Sequence, residues 1–382
     1  MKIRIREIGH TAGLNALERE WDCLLGRSSV DSVFLTWEHA RTWWEFYADG
    51  GMRLRVLLAE DETGKLVGIA PFMTAPGDSP LREGFRHLVM IGGTGDSLSE
   101  YLDLIIEPGC EVEISRVFAR YVMEEMADDW DVLRIGMARE DSTGLGAFAD
   151  ELDALGVELG RARKHASPSL ELSDSWESFL ASRSQNFRRG VRVARRKLER
   201  GREVTRRIVG DTGEIGGAMD SLAELNRKRW GEEGASFKTR QFELFHRKLA
   251  ERFLGRGWLY LSVIEADGVA VGARYDFVYG GKMWCFQGGW DPSFAKVGLG
   301  KVMVADVVEW AIGAGLSEYD FLGGDARYKR EWSSSQRWLV DYEATNPSSV
   351  RGVAYQMLRA VKRVVMGCFG AKGKENRNAE AA

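Results

Sequence analysis

The 382-residue chain has few of the residues that mark disulfide-bonded or metal-dependent proteins. Its four cysteines lie far apart, without a CxxC spacing, at Cys23, Cys110, Cys285 and Cys368. Histidine is equally scattered, at His10, His39, His87, His165 and His246. Dispersed residues of these types favour neither a disulfide framework nor a zinc site. We therefore predict no bound metal.

Long apolar runs are also missing. No stretch approaches the roughly 20 apolar residues that a membrane-spanning helix needs. The first residues, MKIRIREIGH, alternate charged and aliphatic side chains and lack the apolar region of a signal peptide. A hydrophobic fraction of 44% with 29% charged residues is typical of a globular protein. We expect a cytoplasmic chain, long enough for two domains or for one duplicated domain.

The net charge of -4 conceals one strongly basic segment, between residues 183 and 207, which holds eleven basic and two acidic residues. Four apolar positions in it, Phe187, Val191, Ala194 and Leu198, recur at helical spacing and leave the arginines exposed. The helix has three interpretations: it binds a lipid-linked sugar phosphate or a membrane surface, it binds tRNA, or it is only solvated. The one-sided excess favours an anionic partner.

Hydrophobic periodicity predicts the same order of elements twice, namely a strand, two helices, three antiparallel strands, a helix, a strand, a helix and a strand. We predict a first unit over residues 1–165, a basic connecting helix over 175–202 and a second unit over 203–346. Residues 347–382 contain a basic amphipathic stretch, VAYQMLRAVKRVVMGCF, and a polar tail expected to be disordered. The amphipathic stretch either packs on its own domain or lies on a membrane, near a polysaccharide synthase.

The stretch DPSFAKVGLGKVM places two glycines where a helix begins. Glycine weakens helix interiors, but it lets backbone N–H groups approach a ligand closely. A helix N-terminus carries unpaired N–H donors and a partial positive charge. Gly298, Leu299 and Gly300 therefore predict an anion site, and the alternative is a tight turn that serves packing alone.

The order of elements and several stretches resemble the GNAT acetyltransferases. The stretches are FLTWEHARTWWEFY, LLAEDETGKLVGIAPF, SEYLDLIIEPG, SRSQNFRRGVRVARRKLE, GGWDPSFAKVGLGKVM and YDFLGGDARYKREW. Two such units in tandem are similar to the FemAB-like branch, and more closely to the CelD/BcsL group linked to cellulose and exopolysaccharide biosynthesis. The resemblance implies an α/β (α+β) chain with a tandem GNAT-like, acyl-CoA N-acyltransferase fold, whose mixed, mostly antiparallel sheets are flanked by helices.

The resemblance implies that the glycine turn binds the pyrophosphate of acetyl-CoA. The implied contacts run through Lys296, Val297, Gly298, Leu299, Gly300 and Lys301. The chain departs from the family at the first loop position, where Ala295 replaces a glutamine or arginine, so that Lys296 or Lys301 would have to supply the positive charge. The helix of the first half opens at Pro108-Gly109-Cys110 with one glycine, and we interpret that half as a degenerate unit that shapes an acceptor cleft.

The segment that follows the strand SEYDFLGG contains three catalytic candidates. Asp325 would accept the amine proton or orient the acceptor, and Tyr328 would protonate the departing thiolate. Lys329 would bind an anionic group of the acceptor or the donor phosphates. The structural alternative is that Asp325 caps the next helix, Tyr328 and Trp332 form a core pair, and the basic residues are solvated.

Four residues are candidates on the acceptor side. Tyr101 and Asp103 lie on a strand-like alternation in SEYLDLII, where a polar edge strand is an equal alternative. Trp230 and Gln287 are further candidates, since aromatic faces stack on sugar rings, although most of the 13 tryptophans are expected to fill cores.

The sequence thus favours an acetyl-CoA-dependent N-acetyltransferase acting on an amino-sugar or polysaccharide precursor in exopolysaccharide or cellulose-type biosynthesis. Acetyl-CoA is the expected co-substrate, and a small-molecule or lipid-linked sugar is the expected acceptor. One alternative is a FemAB-like aminoacyl transferase that uses aminoacyl-tRNA. Another is a non-catalytic scaffold that binds a glycan or a polysaccharide synthase. The expected location is cytoplasmic, with peripheral contact at the inner face of the membrane as an extension of that prediction.

Overall fold

A computed structural model describes residues 2–77, 84–359 and 361. The first half contains β1 (Arg4–Ile8), α1 (Thr11–Ala16), α2 (Glu18–Leu25), α3 (Trp37–Tyr47), β2 (Arg53–Glu60), β3 (Leu66–Pro76), β4 (Arg86–Met90), β5 (Ile105–Ile106), α4 (Glu111–Glu124), β6 (Val132–Arg139), α5 (Thr143–Ala154) and β7 (Gly160–Glu171). The second half contains α6 (Trp176–Ser182), α7 (Gln185–Glu199), β8 (Val204–Ile208), α8 (Thr212–Gly234), α9 (Arg240–Gly255), β9 (Leu259–Ala266), β10 (Val269–Tyr279), β11 (Lys282–Trp290), α10 (Leu299–Gly313), β12 (Glu318–Asp320), α11 (Arg327–Trp332) and β13 (Ser335–Thr345).

The strands form one continuous sheet in the order β1-β2-β3-β4-β6-β13-β7-β12-β11-β10-β9-β8, with β5 paired to β3. Most neighbours are antiparallel. Each half contributes one parallel pair, β4 with β6 and β11 with β12, and a helix lies between the two strands of each pair along the chain. A parallel pair requires such a crossover connection.

The two halves exchange strands at the centre of the sheet. β7 of the first half pairs with β12 of the second, while β13 of the second half pairs with both β6 and β7. Backbone hydrogen bonds therefore join the halves directly, and a side-chain core spans them, with Trp21 and Trp43 from the first half and Phe245 from the second. The site in the second half is held by elements of both.

Helices cover both faces of the second half of the sheet. Gly272 of β10 faces Met303 of α10, whereas Tyr275 of β10 contacts His246 of α9. Because side chains alternate along a strand, positions of opposite parity point to opposite faces. α9 and α10 thus lie on opposite sides of the sheet, and α7 packs on α10.

Three predicted elements differ in extent. The connecting helix predicted over 175–202 is two helices, because the chain turns at Arg183 and the Ser184 hydroxyl accepts the N–H of Phe187 to start α7. The pattern LNALEREWDCLLGRS predicts one helix, whereas the structure has two, α1 and α2, which meet at Leu17. The sequence also predicts a strand near Val157 to Arg161, which is β7 in the structure and is 12 residues long.

Of the predicted C-terminal helix, residues 350–359 are helical. The rest of that prediction, including the polar tail, lies outside the described residues. Within the described ranges, no helix combines the length and the apolar character needed to cross a membrane.

Candidate functional site

A cavity of about 580 Å³ opens where β11 and β12 separate. β12 pairs with β11 only over Lys282–Trp284, after which β12 ends at Asp320. One edge of β11 over residues 285–290 therefore lacks a neighbouring strand. The cavity lies against this edge, the start of α10, the end of α8 and α11. Its walls include Trp230, Arg274, Cys285, Gln287, Gly298, Leu299, Gly300, Lys301, Tyr328 and Lys329.

The glycine turn, which the sequence predicts to be an anion site, forms one wall of the cavity. Gly298 is the N-cap of α10 in the left-handed conformation, with φ 86°, and a Cβ there would lie 3.3 Å from the Ala194 Cβ of α7. A Cβ at Gly300 would lie 3.3 Å from Nε1 of Trp290. Glycine is favoured at Gly298 because L side chains rarely adopt this φ. Among the described residues no side chain caps α10, and Gly298, Leu299 and Gly300 at its start line the cavity.

The lysines beside the turn are placed differently from each other. Lys301 lines the cavity, and its ammonium lies 2.5 Å from Glu331 Oε1. Lys296 is exposed, and its carbonyl accepts a hydrogen bond from the Lys197 ammonium of α7 at 3.4 Å. Lys296 and Val297 lie outside the cavity wall. Of the two lysines proposed to replace the missing loop side chain, only Lys301 therefore lies at the cavity.

Two of the three catalytic candidates reach the cavity. Tyr328 and Lys329 line it, whereas Asp325 is exposed and pairs with Arg330. Lys329 donates to the carbonyls of Leu322 and Gly323 at 3.2 and 2.7 Å. Asp325 does not cap the helix either, because the N-cap of α11 is Ala326. The suggested core pair fails as well: Trp332 is buried, but Tyr328 is partly exposed.

Tyr328 stays protonated across the physiological range. Burial of its hydroxyl is the largest cause of a raised pKa, and the nearby Cys285 raises it further. A neutral phenol beside the cavity can donate a proton.

A buried polar cluster lies under the cavity and was missed by sequence reasoning. Arg274 binds Asp276 through two hydrogen bonds, of 3.0 and 2.6 Å. The same guanidinium donates to Cys285 Sγ and Tyr319 Oη, each at 3.1 Å. The available indication was an arginine and an aspartate two residues apart in the otherwise apolar strand VAVGARYDFVY. Alternation places both on one face, where a pair of opposite charges tolerates burial.

Glu100 is a second residue that sequence reasoning passed over, although it lies within the quoted SEYLDLII. Its carboxylate accepts the N–H of Gly323 at 2.7 Å, so a loop of the first half contacts the end of β12. Burial raises the pKa of Glu100 to about 7, against the opposing effects of the Gly323 hydrogen bond and the Lys329 charge. A carboxylate with this pKa suits proton acceptance near neutral pH.

The sequence predicts that Tyr101 and Asp103 lie on a strand. In the structure they lie in the loop before β5. Tyr101 has φ 54°, and its hydroxyl bonds Ser167 at 2.7 Å and Asp320 at 2.9 Å. Asp103 accepts hydrogen bonds from Ser142 and the Leu104 N–H. Burial raises the pKa of Asp103 to about 6. Both side chains are engaged in buried contacts at the junction of the halves and lie outside the cavity wall.

Trp230 and Gln287 both line the cavity. Gln287 accepts a hydrogen bond from the Ser236 hydroxyl at 3.0 Å. Trp230 is exposed, and the Arg229 guanidinium lies 4.6 Å from its ring centre and 4.5 Å from that of Trp290. Two aromatic rings and one positive charge therefore lie together in the wall of the cavity.

Residues 185–330 match the sequence family described as "Acetyltransferase (GNAT) domain". The match lies within the second half of the chain. The matched range contains the glycine turn, β10, β11 and the first part of α11, and so most of the cavity wall. This match confirms the predicted enzyme class, an acyltransferase. A search of curated proteins finds no match.

Three solved structures resemble most of the chain. FemX has a TM-score of 0.62 at 13% identity and covers 93% of this chain and 99% of its own. L-PGS from Bacillus licheniformis has a TM-score of 0.51 at 11% identity, covering 89% and 95%. A tandem GNAT protein from the clavulanic acid biosynthesis pathway has a TM-score of 0.50 at 14% identity, covering 91% and 100%. These likenesses confirm the tandem GNAT-like fold and leave the CelD/BcsL assignment a prediction.

Proposed function

We propose that the chain is an N-acetyltransferase that moves the acetyl group of acetyl-CoA to the amine of an amino-sugar or polysaccharide precursor, in the pathway of an exopolysaccharide. The observation that carries the proposal is the cavity itself. It joins an uncapped, glycine-lined helix start to a strand edge without a neighbouring strand. Such a site suits a ligand that has phosphates at one end and amides along its length.

The donor would extend from the helix to the strand. The first N–H groups of α10 and the helix dipole would hold the pyrophosphate. The amides of the pantetheine arm would pair with the open edge of β11, as an added strand would. Its thioester would then lie near Cys285 and Tyr328, which line the same cavity.

The transfer requires two proton movements. A neutral acceptor amine attacks the thioester carbonyl, so that a C–N bond forms and the C–S bond breaks. The amine loses a proton, and we assign its acceptance to Glu100, which contacts the strand end beside Lys329. The departing thiolate takes a proton from Tyr328, whose raised pKa keeps it protonated until then.

The acceptor would enter past the exposed Trp230, whose ring offers a face for a sugar. Lys329 and Arg327 line the same cavity and would attract a phosphate or carboxylate of the precursor. A sugar amine carried on an anionic or lipid-linked precursor meets both features. The pathway assignment rests on the resemblance to the CelD/BcsL group.

The test is calorimetric titration with acetyl-CoA of the wild type, Gly298→Val and Gly315→Val. Both glycines have positive φ, 86° and 73°, and lie at opposite ends of α10. Both variants are therefore strained alike, but only the first alters the cavity. We expect saturable binding that Gly298→Val abolishes and Gly315→Val retains, followed by CoA release with amino-sugar acceptors. Absence of binding by the wild type would refute the proposal.

A second candidate, FemAB-like aminoacyl transfer from tRNA, is favoured by the outer face of α7. Arg189, Arg192, Arg196 and Arg200 are exposed there at spacings of 3, 4 and 4, and no ion pair of theirs occurs among the described residues. α7 also packs on the glycine turn through Ala194. A tRNA would bind with a steep salt dependence. Binding of tRNA that Arg192→Gln/Arg196→Gln abolishes, without acetyl-CoA binding by the wild type, would establish this candidate instead.

A further inference from the structure

The helical segment 350–359 is fixed to the first half of the molecule at its beginning. The N–H of Gly352 donates to the Ser349 hydroxyl at 3.2 Å, which caps the helix. The same hydroxyl donates to Asp131 at 2.6 Å. Asp131 in turn binds Arg86, so the start of the helix is tied to an ion pair whose carboxylate is buried.

One face of this helix lies directly on the protein. Gly352 is buried, and a Cβ there would lie 2.5 Å from the carbonyl oxygen of Asn346 and 2.8 Å from that of Asp131. Tyr355, three residues later on the same face, is buried against Phe85, with ring centres 5.1 Å apart. These two contacts set the rotation of the helix about its axis.

The opposite face is apolar and points into solvent. Val350 is 86% exposed, Met357 65%, Leu358 48% and Val361 61%. Their spacing of i, i+7, i+8 and i+11 places them on one stripe, about half a turn away from Gly352 and Tyr355. They are four of the twelve exposed large hydrophobic residues in the described chain, gathered within twelve positions. A helix of a globular domain normally buries such a stripe.

The helix and the two residues after Val361 carry charges of one sign in the sequence. Arg351 and Arg359 belong to the helix, where Arg359 is paired with Glu343 of β13, Lys362 and Arg363 follow it in the sequence, and residues 350–363 contain no acidic side chain. A second copy of this helix would bring cations such as Arg351 against cations, with no carboxylate of the helix itself to offset them. An anionic lipid surface, by contrast, offers an apolar interior for the stripe and negative headgroups for the flanking cations.

We propose that the helical residues 350–359 together with Val361 bind the interface of an anionic lipid bilayer, with Val350, Met357, Leu358 and Val361 inserted among the acyl chains. The protein then lies on the membrane through its first half. This proposal does not rest on the acetyltransferase assignment, since it uses none of the cavity residues.

The experiment is sedimentation of the full chain with vesicles of phosphatidylcholine alone or with phosphatidylglycerol. The variants are Met357→Glu, Leu358→Glu and the control Val269→Glu, which alters a hairpin residue that is 63% exposed. We expect binding to the mixed vesicles that falls with salt, weak binding to phosphatidylcholine, and a loss of about tenfold or more in both helix variants but not in the control.

Two results would overturn the proposal. One is failure of the wild type to sediment with phosphatidylglycerol vesicles, or binding that the two helix variants retain. The other is a dimer of the wild type in analytical ultracentrifugation that Met357→Glu dissociates, which would identify a second copy as the occupant. Acetyl-CoA titration of the same variants should match the wild type, which separates this outcome from that of the proposed function.

Discussion

Both halves place a helix between the two strands of a parallel pair, yet the two helix starts differ in the properties that an anion requires. α4 begins with Glu111 and Glu113, and the Glu111 carboxylate accepts the N–H of Gly109 at 2.8 Å. Neither helix has a side-chain cap, but α10 also lacks an acidic residue in its first turn. Since a helix start attracts negative charge, the two carboxylates of α4 offset the positive end of that helix. Only the start of α10 is left for a ligand.

The central strands of the two halves, β3 and β10, differ in whether they carry charged side chains. β3 of the first half, LVGIAPFMTAP, is uncharged and buried along all but its last residue. β10 of the second half carries the buried Arg274–Asp276 pair below the cavity. Replacing a buried ion pair by well-packed hydrophobic residues is often neutral or stabilising for the folded state. The pair adjoins the cavity, since Arg274 also belongs to the cavity wall.

The largest predicted effect comes from breaking that pair. Asp276→Asn leaves a buried guanidinium without its counter-ion, and we expect a loss of about 3 to 5 kcal/mol in the free energy of unfolding. Urea denaturation measures it. The control is Glu224→Gln in the exposed pair with Lys228, which should cost about 0.5 kcal/mol or less. A midpoint for Asp276→Asn equal to that of the wild type would show that the second half does not depend on the pair.

The next effect concerns Glu100 of the first half, which lies outside the cavity wall but contacts Gly323 and is the proposed proton acceptor. We expect acetyl transfer to rise with pH through about 7 as Glu100 ionises, and Glu100→Gln to lower the plateau about a hundredfold and flatten the rise. Rates measured from pH 5.5 to 8.5 test this expectation. An unchanged pH profile in the variant would remove Glu100 from proton transfer.

Stability supplies an independent readout for the same residue. The folded pKa of Glu100, about 7, lies above its ordinary 4.5, so the folded state binds this proton more tightly. The contribution of Glu100 to stability is therefore complete below about 4.5 and disappears as the pH rises through 7. Glu100→Gln should reduce the decline of the urea midpoint over this interval. A purely structural role would produce this change without altering the rate profile.

Much of the fold follows from periodicity, because each hydrophobic stripe records the face that its element buries. The order of strands and helices, the hairpin at Asp267-Gly268 and the helix after Gly298 were predictable in this way. Strand exchange was not, since the alternation in β7 and β13 specifies a buried face but not a neighbour. The break at Ser184 was missed because a serine within an arginine-rich run also suits a solvated helix surface.

The site was predictable where backbone chemistry determines it and unpredictable where distant segments meet. The glycine turn is local, and it lines the cavity as expected. Asp325 was overestimated, because its position after a strand does not reveal that Arg330 pairs with it on the surface. Glu100 was underestimated, because its raised pKa arises from burial at a contact between residues 223 positions apart.

A change of charge at each helix start tests whether α10 alone binds the donor. Lys301→Glu would give α10 an acidic first turn like that of α4, and we expect acetyl-CoA affinity to fall about tenfold. Glu111→Gln in α4 should leave the affinity unchanged, because that helix holds no donor. Titration at low and high salt measures both. Equal weakening by the two variants would mean that both helix starts take part in binding.

The smallest predicted effect tests whether the donor needs a glycine at position 300 of the turn. Gly300→Ala adds a methyl group 3.3 Å from Trp290 Nε1, at the helix start where the phosphates would lie, and we expect affinity for acetyl-CoA to fall a few-fold. Gly313→Ala adds the same group at the far end of α10, where nothing lies within 4 Å, and should raise stability by about 0.5 to 1 kcal/mol without changing affinity. Because both positions lie in one helix, a shared loss of affinity would indicate that the helix as a whole moves. A loss confined to Gly300→Ala would mean that close backbone approach is what distinguishes α10 from α4.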